Sequence, residues 1–175
     1  MIKAIETRYK GHRFRSRLEA RWAVFFDASG IKWIYEKEGF SVNGKPYLPD
    51  FYLPEFGYFE VKGRYEYDDQ LMQEFANEIR EPLFVAFEEI PLPESGRGYL
   101  KTFIPQSYAP EGEMMYWGYD DMFLECDECG KISVQNAVYD TIKGNCCEGS
   151  REMSLEHALM EAREARFEHG DKPKV

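Results

Sequence analysis

Asp50, Glu60 and Lys62 have the types and spacing to do chemistry, and all three fall within residues 49–63, Pro-Asp-Phe-Tyr-Leu-Pro-Glu-Phe-Gly-Tyr-Phe-Glu-Val-Lys-Gly. Glu60 and Lys62 are two apart, so on a strand both side chains point to one face while Phe59 and Val61 point to the other. The two aromatic-rich runs joined by Pro-Glu-Phe-Gly read as a β-hairpin. A three-residue loop of Glu55, Phe56 and Gly57, with Gly57 in the left-handed conformation, pairs Pro54 with Tyr58, Tyr52 with Glu60 and Asp50 with Lys62. Two carboxylates and one ammonium then share a face. Carboxylates a few ångström apart repel unless a cation lies between them, and a hard divalent ion with oxygen ligands, Mg2+ or Mn2+, relieves this. The same residues also suit a solvated hairpin face, and their spacing alone does not choose.

The second chemical grouping is Cys126, Cys129, Cys146 and Cys147, which are all the cysteines of the chain. Clustering of this kind in a chain with no secretory signal favours zinc over disulfides. Cys126-Asp-Glu-Cys129-Gly130 looks like a zinc-ribbon knuckle. The adjacent Cys146 and Cys147 depart from the usual second half, which leaves His157 as another route to a complete structural Zn2+ site.

The elements that must position these residues follow from periodicity. Residues 16–29 read as an amphipathic helix with Leu18, Trp22, Phe25 and Phe26 on one stripe and Gly30 as its stop. Glu19 borders that stripe. Ser16-Arg-Leu-Glu19 fits a capping box, a role that would occupy Glu19 at the helix end. A strand over 31–40 and an Asn43-Gly44 turn lead into the hairpin; Glu36 and Glu38 in that strand can also approach the site, but read more simply as edge-strand or surface charges. A helix over 65–80 carries Leu71, Met72, Phe75 and Ile79, and 82–90 is an apolar run suited to a strand buried on both faces. Residues 91–120 are broken by proline and glycine, with one strand near 99–104. A last helix spans 154–167, with Ser154 as its N-cap and Gly170 as its stop.

Pro-Asp50, nine residues, Glu60-Val-Lys62, set in the order helix, three strands, helix, strand, resembles the PD-(D/E)XK nuclease superfamily over about residues 10–90. The resemblance implies an α/β fold: an αβββαβ restriction-endonuclease-like core, a mixed sheet flanked by helices. It implies that Asp50, Glu60 and the Val61 carbonyl hold Mg2+ (or Mn2+), that Lys62 orients the attacking water, and that Glu19 on the first helix is a further metal-site carboxylate. It further implies a small endonuclease of the phage or mobile-element kind, working in the cytoplasm of a bacterial host on DNA, branched and nicked forms included. A homodimer is compatible with this reading.

Composition bounds the alternatives. The net charge is −10, yet the first 22 residues carry seven Lys and Arg against Glu6 and Glu19. A basic segment on an acidic body can dock a polyanion, here through Lys10, Arg13, Arg15 and Arg17. No apolar run is long enough to span a membrane and the start lacks a signal-peptide pattern, so a soluble cytoplasmic protein is expected. The organisation read from the chain is a core over 1–105, a connector over 106–124, a zinc-ribbon-like lobe over 125–150, and a helix and tail over 151–175. Two other functional classes stay open: a catalytically inactive nucleic-acid-binding module of the same fold, and an acidic DNA-mimic inhibitor.

Overall fold

The computed structural model describes residues 5–93, 98–108, 118–136, 141–143, 147 and 153–167. Side-chain surroundings are described for all of these except 118–120, 136, 141–143, 153 and 154. Within them the chain is mixed α/β, with three helices and a nine-stranded mixed sheet.

A short hairpin, β1 (Thr7–Tyr9) and β2 (His12–Phe14), leads into α1 (Arg17–Ser29). Ser16 caps α1 by accepting the Glu19 N–H at 3.1 Å, and Gly30, at φ 74, closes it with N–H bonds back to the last turn. Here a left-handed residue is required, and glycine takes that conformation without a Cβ clash. The buried stripe of α1 is Ala20, Trp22, Ala23, Phe25 and Phe26. Its rings meet the sheet at Phe59, 4.9 Å from Trp22 and 5.1 Å from Phe26 between centroids.

The sheet path begins at its edge with β3 (Ile34–Tyr35). The strand expected over 31–40 is therefore cut to two residues. Glu36 has φ 44, which ends the strand, and Phe40 belongs to a separate hairpin of β4 (Phe40–Val42) and β5 (Lys45–Tyr47), turned by Asn43-Gly44 at φ 49 and 76. Next come β6 (Phe51–Leu53) and β7 (Gly57–Lys62), then α2 (Asp69–Ile79), which crosses over to β8 (Leu83–Phe87), parallel to β7. Asp68 caps α2, so residues 65–67 are a loop and the helix starts later than its periodicity implied.

The β6–β7 register differs from the expected one. Leu53 pairs with Gly57, Tyr52 with Tyr58 and Phe51 with Phe59, so the loop is Pro54, Glu55 and Phe56. Two contacts set this register. Phe56 is buried against Phe123 at 5.4 Å instead of standing at a loop tip. Gly57, at φ 133, lies so close to Pro82 that a Cβ would sit 2.5 Å from its carbonyl oxygen, which also accepts the Tyr58 N–H. The shift is an even number of residues, so the faces are preserved.

The sheet continues through antiparallel β9 (Leu100–Phe103), β10 (Gly118–Glu125), β11 (Ile132–Asn136) and β12 (Thr141–Lys143). Residues assigned to connector and lobe thus extend the same sheet. The last strand, β13 (Met153–Ser154), pairs with the end of β10, and α3 (Glu156–Glu164) packs on α1. Ser154 is a strand residue, and the α3 N-cap position is Leu155, without a side-chain cap bond. Gly170 lies outside the described residues. One core fills the face covered by α1 and α3, and a second, with Met72, Phe75 and Ala76, fills the face covered by α2.

Candidate active site

Asp50 immediately precedes β6, and Glu60 and Lys62 lie on β7, on the face opposite Phe59. Asp50 and Glu60 are buried, with 3% and 4% of their surfaces exposed. The main chain ties them together. Asp50 N–H donates to Glu60 Oε2 at 3.3 Å, and Val61 N–H donates to Asp50 Oδ2 at 2.7 Å. Lys62 Nζ donates to Glu60 Oε1 at 2.5 Å, and the Arg15 guanidinium donates to Asp50 Oδ1.

Burial, then the charges of Glu60 and Glu19, push the Asp50 carboxyl well above its ordinary range, against the opposing effects of the Val61 N–H and Arg15. Arg15 is half exposed, so its attraction is screened by solvent whereas the repulsion within the buried acids is not. With its carboxylates ionised, the group of Asp50, Glu60, Glu19 and Glu36 has only Arg15 and Lys62 as paired cations among the described residues.

Glu19 is buried, and three donors fill its oxygens: Ser16 Oγ at 2.7 Å, the Tyr35 hydroxyl at 2.6 Å and the Arg15 N–H at 3.2 Å. This is a capping arrangement, with the reach back made to Arg15 in place of Ser16. The Tyr35 hydroxyl is held protonated by its burial and by Glu19. Glu36 joins the group: its N–H donates to the Asp50 carbonyl at 2.8 Å and its carboxylate pairs with Arg15 Nε at 3.0 Å. Tyr47, whose hydroxyl is also pushed upward by burial and by Glu60 and Asp50, completes the wall.

Reading the chain alone missed Tyr35 and Tyr47 as members of this group and favoured a surface role for Glu36, which the structure brings to it. Arg15 was expected on a phosphate-tracking segment and instead faces the buried acids. Lys10 pairs with Asp27 at 2.9 Å and Arg13 with Glu6. Arg17 is exposed in the first turn of α1.

A separate cluster stands where β10 ends. The sulfur atoms of Cys126, Cys129 and Cys147 all lie within 4.8 Å of one another, with Cys126 and Cys147 3.6 Å apart. Tetrahedral zinc with Zn–S near 2.3 Å needs S–S separations of about 3.8 Å, so the three thiols fit a metal ion. The turn supports them: Gly130 N–H donates to the Cys126 carbonyl at 2.9 Å with Gly130 at φ 67. Backbone N–H groups of Lys131 and Cys147 pull the Cys129 thiol down to about 6, which favours the thiolate a metal requires. Cys146 lies outside the described residues. His157 is not part of the cluster; it is exposed on α3 and pairs with Glu161 at 3.0 Å.

No family model, no curated protein and no solved structure matches the chain. No helix among the described residues is long and apolar enough to cross a membrane.

Proposed function

We propose that the chain is a metal-dependent endonuclease acting on DNA, with the αβββαβ core of the PD-(D/E)XK nucleases that its motif resembles. One observation carries the reading: two buried acids, Asp50 and Glu60, are tied to each other and share their face with Lys62, and once ionised they present negative charge that a divalent cation would balance. Asp50, Glu60 and the Val61 carbonyl would hold Mg2+ or Mn2+, with Glu19 as a further carboxylate. Such an ion lowers the pKa of bound water and neutralises phosphate charge, which phosphodiester hydrolysis requires.

The chain's own residues supply the rest. Lys62, held by Glu60, orients the attacking water and stabilises charge building on the phosphate. Arg15 has a half-exposed side chain and an acidic partner of its own at the site, so it can turn to a phosphate as substrate arrives. The Cys126, Cys129 and Cys147 cluster serves as a structural zinc site and takes no part in the chemistry.

A second reading, a nucleic-acid-binding module without catalysis, is favoured by the same ion pairs, since Arg15 and Lys62 already partner Asp50 and Glu60. Incubation with supercoiled, linear, single-stranded and branched DNA in Mg2+, Mn2+ or EDTA separates the two. Cutting that requires the metal and disappears in Glu60→Gln supports the nuclease; binding without cutting under every condition supports the module.

A further inference from the structure

Beyond Lys62 the chain enters the loop Gly63-Arg-Tyr-Glu-Tyr67, which runs past the carboxyl end of β7 before α2 begins. Lys62 pairs in register with Phe87, the last residue of β8, so the Phe87 side chain shares the face of Glu60 and Lys62 one strand away. Tyr65 stacks on Phe87, with centroids 4.7 Å apart and ring planes 18° from parallel. Tyr67 packs against Phe87 as well, at 4.9 Å and 39°. Three rings therefore stand together at the Lys62 end of β7.

The three rings are braced from behind. Lys101 on β9, itself 1% exposed, donates to the Tyr67 hydroxyl at 2.9 Å and to Asp69 at 2.5 Å, and its ammonium lies 4.6 Å from the Tyr67 ring centroid. At the other end Tyr65 is 65% exposed, the highest value among the exposed large apolar side chains of the described residues. One face of the Tyr65 ring is thus stacked on Phe87 while most of the side chain is open to solvent. Arg64, the residue before it, is exposed too.

We propose that the stacked Tyr65 and Phe87 rings form a platform for an unpaired base of DNA, with Arg64 positioned to meet the adjoining phosphate, so that the site takes single-stranded or frayed DNA in preference to intact duplex. Every base offers a π-face, so an aromatic platform binds unpaired bases with little sequence preference, whereas bases stacked within a duplex cannot reach it. Arg64, exposed one residue before Tyr65, offers a cation for the phosphate that follows each base. The link to Asp50 and Glu60 rests on the nuclease reading, but the platform itself is a binding device and is testable without catalysis.

The test is fluorescence anisotropy with the full chain in EDTA, using a labelled oligothymidylate and a labelled blunt duplex of equal length, for wild type, Tyr65→Ala and Tyr65→Phe. Loss of one stacked base weakens binding about 5- to 150-fold, so Tyr65→Ala is expected to lose affinity for the oligothymidylate by that much and for the duplex by less than twofold, while Tyr65→Phe keeps wild-type affinity. Equal oligothymidylate affinity in wild type and Tyr65→Ala overturns the platform. So does an equal loss in Tyr65→Ala and Tyr65→Phe, which would make the hydroxyl and not the ring the contact. Metal-dependent cleavage measured on the same preparations keeps the two readings apart: cutting with no Tyr65 dependence removes only the platform, and Tyr65-dependent binding with no cutting removes only the nuclease.

Discussion

Asp50 donates its backbone N–H to the Glu60 carboxylate at 3.3 Å, so the two acids are joined by the main chain as well as by the fold. Separating them breaks this bond, and the Asp50 carboxylate is held in place besides by the Val61 N–H at 2.7 Å. Their mutual repulsion is therefore built into the folded state, and it has a sign that can be measured.

The folded state raises the Asp50 pKa, chiefly through burial and Glu60. A carboxyl whose folded pKa exceeds its unfolded value binds its proton more tightly when folded. Its stabilising contribution is complete below the unfolded value, near 4, and is lost as pH rises through the folded value. In EDTA the melting temperature of wild type is expected to fall relative to Asp50→Asn as pH is raised from about 4 to 8. Adding Mg2+ or Mn2+ at pH 8 should recover wild type but not the variant, and cleavage should be lost in the variant. Parallel melting curves across the pH range would show that Asp50 carries no such cost.

Glu19 separates a cap from a metal-site acid. It accepts from Ser16, Tyr35 and the Arg15 N–H, and an amide can replace only one of its two oxygens. Glu19→Gln is expected to cost about 1 kcal/mol of stability. As a metal-site carboxylate it should also lower the cleavage rate by about 10²-fold. Wild-type cleavage by this variant at limiting Mg2+ would reduce Glu19 to its capping role.

The cysteine cluster predicts about one zinc per chain. Elemental analysis should find it, and Cys126→Ser should lose both the metal and most of the soluble folded protein, because structural zinc contributes on the order of 10 kcal/mol of metal-dependent folding energy. A metal-free wild type, or a Cys126→Ser variant as stable as wild type, would leave the thiols as ordinary packing residues.

Gly57→Ala tests the hairpin register. The added Cβ would lie 2.5 Å from the Pro82 carbonyl oxygen at a backbone φ of 133, and the obstacle is main chain, which cannot turn aside. A loss of about 3 kcal/mol or more is expected from urea unfolding. A loss below about 1 kcal/mol would mean that Pro82 does not press on the hairpin.

The parts of this molecule that sequence reading located are those set by period and local chemistry. The α1 stripe, the Ser16 and Gly30 ends, and the Asn43-Gly44 turn all follow from side chains within a few residues of one another. The face shared by Asp50, Glu60 and Lys62 also emerged, because a register error of an even number of residues leaves alternation intact. What escaped depends on distant partners. Phe56 looks like a loop residue until Phe123 is known to lie against it. Ser154 looks like a cap until β10 claims it for pairing. Arg15 sits in a basic run whose composition suggests phosphate, and only the folded chain brings it to Asp50, 35 residues away.

Because the sheet runs on through β9 and β10, the first 105 residues are not a unit that could be cut free. A fragment ending there would leave Leu100–Phe103 as a naked margin, with residues now fully covered and a row of main-chain donors and acceptors without the strand that saturates them. Bare margins of this kind recruit other chains. Limited proteolysis between the two halves should therefore yield insoluble material rather than a trimmed, soluble core.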